Sequence, residues 1–153
     1  MIFFNIIEFK SQLKPDHRLL CLDIGLVRIG CALSDKRRIL ATAYCVFNLK
    51  KQKFTTKLLK DIIESEQSYG IILGYPLQMD GIAGKSCAMV DKFITKYLAV
   101  LDQPIFLQDE RLSSSAVNRY FREMELSRKQ QVQLSDKAAA CYILQSTLER
   151  LRD

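Results

Sequence analysis

Three carboxylate positions carry the chemistry this chain could perform. Asp23 closes the apolar run LLCLD, Asp109 and Glu110 follow PIFLQ, and Asp136 stands at or next to the start of an alanine-rich helical segment, DKAAACYILQ. A carboxylate at the end of a buried strand is costly unless it is paired or coordinated. Carboxylates gathered from several elements can hold hard divalent ions, Mg²⁺ or Mn²⁺, together with water and substrate phosphates. Two such ions roughly 4 Å apart activate a water and stabilise the leaving oxygen of a phosphodiester. That chemistry requires neither histidine nor cysteine, which suits a chain whose one histidine, His17, stands apart from these positions.

Each position also has a plainer role. Asp23 could hydrogen-bond a neighbouring turn, and Gly25 and Gly30 could supply positive φ to a hairpin. Asp109, Glu110 and Arg111 could form a solvated cluster with Arg111 paired locally. Successive strand residues point to opposite faces, so Asp109 and Glu110 cannot both aim at one spot while the strand continues; the sequence leaves open which does. Ser135 or Asp136 could cap the last helix.

For the carboxylates to meet, the elements that carry them must end at one edge. LLCLDI, IGCALSD and ILATAYCVF are closely spaced strand candidates separated by turn signals, as in an antiparallel meander. TTKLLKDIIESEQ places Leu58, Leu59, Ile62 and Ile63 on one helical face. GIILGYP is a short strand, SCAMVDKFITKYLAVL a second helix opening at Ser86, and PIFLQDER a further strand. Two more helices follow, SSSAVNRYFREMEL and DKAAACYILQSTLERL. A meander followed by βα units gives an α/β fold with a mixed five-stranded sheet, three antiparallel and two parallel strands, flanked by helices. Residues 1–17 form an N-terminal extension, and 18–153 a single domain. If the strands ending at Asp23, at Gly74-Tyr75-Pro76 and at Asp109-Glu110-Arg111 are parallel neighbours, all three corners meet where α/β sheets gather ligands.

The balance of 23 Lys+Arg against 17 Asp+Glu, a formal charge of +6, favours a polyanionic partner such as nucleic acid. The five cysteines form no CxxC pair, which argues against zinc and against a disulfide framework and places the chain in a reducing cytoplasm. The opening MIFFNII is too short, and lacks the flanks, for a signal peptide or a membrane span. DGIAGKS misses the phosphate-loop spacing, with Met79 where the first glycine should stand. Lys85 in that loop could still meet a phosphate. Ser113, Ser114 or Ser115 opens a helix, where hydroxyls cap and backbone N–H groups favour anions.

With these residues assembled, the chain resembles the YqgF/RuvX family of ribonuclease H-like nucleases. The matching blocks are Asp23-Ile24-Gly25 through Gly30, Gly74-Tyr75-Pro76 through Met79-Asp80-Gly81, Asp109-Glu110-Arg111-Leu112, and Asp136-Lys137-Ala138-Ala139 running into Ile143-Leu144-Gln145, in order over residues 19 to about 150. The resemblance implies a ribonuclease H-like fold and a catalytic metal site of Asp23, Glu110 and Asp136, with Arg28, Lys85 and Arg111 as substrate contacts. It implies Mg²⁺ or Mn²⁺ as cofactor, two ions with substrate bound, and a monomer or homodimer acting on nucleic acid. The expected activity is 5′-end processing of the small-subunit ribosomal RNA precursor. The alternatives are resolution of branched DNA junctions and nucleic-acid binding without catalysis. Leu26 stands where the family carries threonine or a similar polar residue, and Ser113 and Ser114 replace its threonine pair.

Overall fold

The computed structural model describes residues 1–78, 84–110 and 128–153, and of residues 128–136 the backbone alone. The meander forms as its spacing predicts. β2 (Arg18–Ile24) pairs antiparallel with β3 (Arg28–Ser34), and β3 with β4 (Ala41–Asn48). β5 (Ser68–Tyr75) then pairs parallel with β2, and β6 (Ile105–Asp109) parallel with β5. The ends of β2, β5 and β6 therefore lie at one edge, in adjacent strands.

The sheet has six strands rather than five, in the order β1-β6-β5-β2-β3-β4. The addition is β1 (Ile2–Phe3), which pairs parallel with β6 through Ile2↔Ile105 and Phe3↔Phe106. A two-residue strand is too short to show the alternation by which strands are read from sequence. Ile2 and Phe3 of the N-terminal extension thus join the sheet. Asn5 caps α1 (Ile6–Ser11), its side chain accepting from the N–H groups of Ile7 and Glu8. Phe9 of α1 is fully buried and stacks on Phe106, with ring centroids 5.3 Å apart.

Strand alternation divides the core. Leu20, Leu22, Ile71, Leu73 and Leu107 face α2 (Thr56–Ser65) and α3 (Lys85–Phe93), where Leu59, Ile62, Ile63 and Val90 meet them. Leu58 is half-buried against the same cluster, so the amphipathic face read from TTKLLKDIIESEQ is the packed one. Leu19, Cys21, Ala32, Ile72 and Phe106 face the other way, against α1 and α4 (Arg128–Arg152), which contributes Ala140, Ile143, Leu144 and Leu148. All five cysteines are free thiols. Among the described residues, no helix is long and apolar enough to cross a membrane.

Two helix starts differ from expectation. α3 opens at Lys85 with Gly84 in the N-cap position, so Ser86 is not the cap, and a five-residue π-helical turn, Ile94–Leu98, continues the helix. α4 is already helical at Arg128, ahead of Ser135 and Asp136. The segment RKQQVQLS contains no glycine or proline to break the helix and is rich in good helix formers. Asp136 is therefore an interior helical residue, not a cap. The helix expected over 113–126 lies outside the described residues.

Candidate active site

The side-chain parity of three parallel strands defines the site. Leu19 and Cys21 of β2 face α4, so Asp23, two residues on, faces it too. In β5, Ile72 faces α4, and Gly74 follows with the same parity. In β6, Phe106 faces α4, and the Gln108 side-chain oxygen accepts from Thr147 Oγ1 at 3.3 Å and Arg150 Nη1 at 2.8 Å. Glu110 continues that alternation, whereas Asp109 shares the parity of Leu107. The choice left open between Asp109 and Glu110 is settled by parity: Glu110 belongs to the α4 face, with Asp23. Asp109 instead lines a cavity of about 280 Å³ with Phe4, Tyr75 and Leu107.

Gly74 is what lets the two carboxylates approach. β2 and β6 are separated by β5, so their backbones lie roughly 10 Å apart. A Cβ on Gly74 would fall 1.5 Å from Glu110 Oε1 and 2.5 Å from its Cδ. The Glu110 carboxylate thus lies over the bare backbone of β5, on the strand between it and Asp23. Across the other side of β2, the register partner of Asp23 is Gly30, so no side chain stands opposite Asp23 there either.

The proximity has an electrostatic consequence. Burial, then the Asp23 charge, then that of Asp109, push the Glu110 carboxyl up to about 8. The thiol of Cys21, beneath them, is raised by burial first and then by Asp23 and Glu110. A carboxyl whose burial and like-charged neighbours favour the protonated form is a site where a cation would be stabilised. An all-oxygen donor set in such a place suits Mg²⁺ or Mn²⁺ rather than a soft metal.

The third expected ligand has only its backbone described. On α4, position 136 lies four residues before Ala140 and seven before Ile143, one stripe of a 3.6-residue helix. Ala140 and Ile143 are buried against the sheet, and Ile143 Cδ1 would lie 3.1 Å from a Cβ on Gly74. Position 136 is thus placed on the same helical stripe as Ala140 and Ile143. Among the described residues no group of three possible ligands closes around one point; the Asp136 side chain lies outside them.

The remaining expected contacts are distributed. Arg28 is exposed at the start of β3, one turn from Asp23, and its carbonyl accepts from Gly25 N–H at 2.9 Å. A Cβ on Gly25 would lie 2.6 Å from that carbonyl oxygen. Gly25 is thus needed for close approach and not for positive φ, which among the described glycines only Gly70 adopts. Leu26 projects at the turn, 86% exposed. Lys85 is exposed at the start of α3. Arg111, Ser113 and Ser114 lie outside the described residues. Sequence reasoning read Gly74 only as part of a strand-end corner and missed its role as floor; a glycine one residue before the end of a buried strand was the available signal.

Gly74→Ala tests that role. The obstructing atom is the end of a flexible side chain, so the fold is expected to survive with Glu110 turned away. NMR titration of the Glu110 carboxyl should then show its midpoint falling from about 8 toward the ordinary range. An unchanged midpoint would show that Gly74 does not position Glu110.

A mixed sheet with an antiparallel meander, parallel strands and helices on both faces, bearing acids at the ends of its first and last domain strands, is a ribonuclease H-like domain. The chain belongs to the RuvX family, whose model, described as Holliday junction resolvase, matches residues 17–150. Curated relatives span nearly its full length. One from Paramagnetospirillum magneticum is 41% identical over 93% of this chain and 92% of its own; one from Rhodospirillum rubrum is 39% identical over 94% and 89%. A Wolbachia pipientis relative is 32% identical over 99% of this chain and 97% of its own. All three carry the name "Putative pre-16S rRNA nuclease".

Proposed function

We infer that this protein is a metal-dependent endonuclease that hydrolyses phosphodiester bonds, and that its substrate is the 5′ end of the small-subunit ribosomal RNA precursor. The observation that carries this is the pair Asp23 and Glu110, brought together over Gly74 at the edge where three parallel strands end. Asp23, Glu110 and Asp136 would hold Mg²⁺ or Mn²⁺. When bound, the metal supplies charge neutralisation at the phosphodiester and a more acidic water. Asp23 fixes one side of the site from β2. Glu110, held against the β5 backbone, fixes the other, and would hold the cation as a deprotonated carboxylate. Arg28, Lys85 and Arg111 would neutralise flanking phosphates, with Ser113 and Ser114 as further contacts; such contacts position a strand without reading its sequence. The relatives' shared name favours RNA, and a reducing cytoplasm, where ribosomal RNA is processed, agrees with five free thiols.

The family description favours a second reading, a resolvase of four-way DNA junctions. Such an enzyme would act as a homodimer matching its target's two-fold symmetry, whereas RNA trimming is open to a monomer. One preparation should be given 5′-extended precursor RNA and a four-way junction, each with Mg²⁺, with Mn²⁺ and with chelator. Metal-dependent cutting of the RNA, with the junction left intact, is expected. Junction cutting alone would replace the first reading with the second, and no cutting of either would overturn both.

A further inference from the structure

A second surface, on the opposite face of the sheet from α4, has the chemistry of a strand-binding groove. Between the end of β4, the start of α2 and the π-helical turn after α3 lies an open cavity of about 400 Å³. Its rim carries Lys53 and Lys96, with Leu49 and Gln52, over a floor of Phe54 and Tyr97. Phe54 is buried, and its ring meets those of Phe47, Phe93 and Tyr97 with centroids 5.1–5.4 Å apart. That aromatic cluster makes the floor rigid. No acidic side chain lines the cavity among the described residues.

The backbone that carries the neighbouring lysines is held in a defined turn. Asn48 accepts from Lys50 N–H through its side chain at 3.0 Å, and its carbonyl accepts from the N–H groups of Lys51 and Gln52. This folds KKQK into a turn that presents Lys50, Lys51 and Lys53 to solvent. The turn is anchored to the candidate active site. Asn48 is the register partner of Arg28, and Leu49 N–H donates to Val27 carbonyl at 2.8 Å, inside the turn that follows Asp23. From Asp23 a path of exposed cations runs through Arg28 and the lysine turn to Lys53 and Lys96.

We propose that this cavity is a distal subsite for the sugar–phosphate backbone of the substrate strand, taking a phosphate between Lys53 and Lys96 after the strand crosses the sheet edge from the carboxylates. It takes backbone and not a stacked base, because the Lys96 ammonium already lies over the Tyr97 ring, 5.0 Å from its centroid. The proposal rests on reading the protein as a nucleic-acid enzyme and extends that reading to a surface none of the family-matching blocks includes.

The test is binding of a labelled single-stranded RNA of about 16 nucleotides to the full chain in chelator, where no cleavage intervenes. Lys53→Ala/Lys96→Ala should weaken binding roughly tenfold at 0.1 M salt and make the slope of log affinity against log salt shallower by about 1.4, two single-strand phosphate contacts. Lys53→Arg/Lys96→Arg should bind like the wild type. Lys10→Ala/Lys36→Ala removes the same charge from exposed positions elsewhere and should cost much less; an equal loss would overturn the subsite in favour of net charge alone. Poly-glutamate displacing the RNA as well as unlabelled RNA does would overturn it in favour of an acidic protein partner. Unchanged affinity in the Lys53/Lys96 variant, from a protein that cuts RNA, would sink the subsite and leave the nuclease standing. Weakened affinity in a protein that never cuts would do the reverse.

Discussion

Replacing Asp23 by asparagine is expected to lower cleavage roughly 10³-fold or more, the scale of losing a group that acts only as the transition state forms. The fold should be unaffected. Asparagine has the same shape, the site is half-exposed at a strand end, and β2 is held by its backbone pairing with β3 and β5. The substitution removes one of two mutually repelling acids, so the melting temperature at neutral pH should hold or rise slightly. It should also leave a mark on a second residue. Asp23 is the largest charge raising the Glu110 carboxyl, so the Glu110 midpoint should fall in the variant even as activity disappears. Retained cleavage would end the proposed mechanism. Lost cleavage with an unmoved Glu110 midpoint would show that the two acids do not share a site.

The sequence raised a shared edge for the corners at Asp23, Gly74 and Glu110 only as a condition, because each is a short apolar run ended by a polar corner; the chain between the first two holds a meander and a helix, and between the last two a helix, enough for the parallel crossovers that form. The same patterning gave the packed face of α2. What the sequence could not show depends on distance across the sheet. That Glu110 rather than Asp109 faces Asp23 follows from where β6 begins its alternation, and only the burial of Phe106 and the bonds of Gln108 fix that phase. Likewise Gly74 reads locally as a turn residue; its importance comes from β5 lying between β2 and β6, a fact of topology. β1 was invisible because two residues carry no period. A cap at Ser135 or Asp136 was the plainer alternative because the alanine-rich segment starts there, whereas the helix already runs through the polar residues before it.

The same geometry makes Glu110 a liability to the metal-free fold, and Glu110→Gln should reveal it. The carboxyl protonates at about 8 in the folded protein against an ordinary value of 4.5. Between those values the folded state binds a proton that the unfolded state has released, so the contribution of this group to stability falls as pH rises through that window and levels off above it. The full shift would correspond to about 5 kcal/mol; solvent screening at this half-buried position brings it to roughly 3 kcal/mol, or roughly 5–10 °C in melting temperature for a domain of this size. In chelator, wild type and Glu110→Gln should melt together near pH 5. By pH 8.5 the variant should be the more stable, because its amide never ionises. Adding Mg²⁺ or Mn²⁺ at pH 8.5 should then restore the wild type by linkage and raise the variant far less. Cleavage by the variant should be lost at every pH. Melting curves that stay parallel from pH 5 to 8.5 would show that Glu110 is solvated and ordinary, and would remove the reason to expect a cation there. The expected divergence would mean that the acid which weakens the empty fold is the one that makes the site bind.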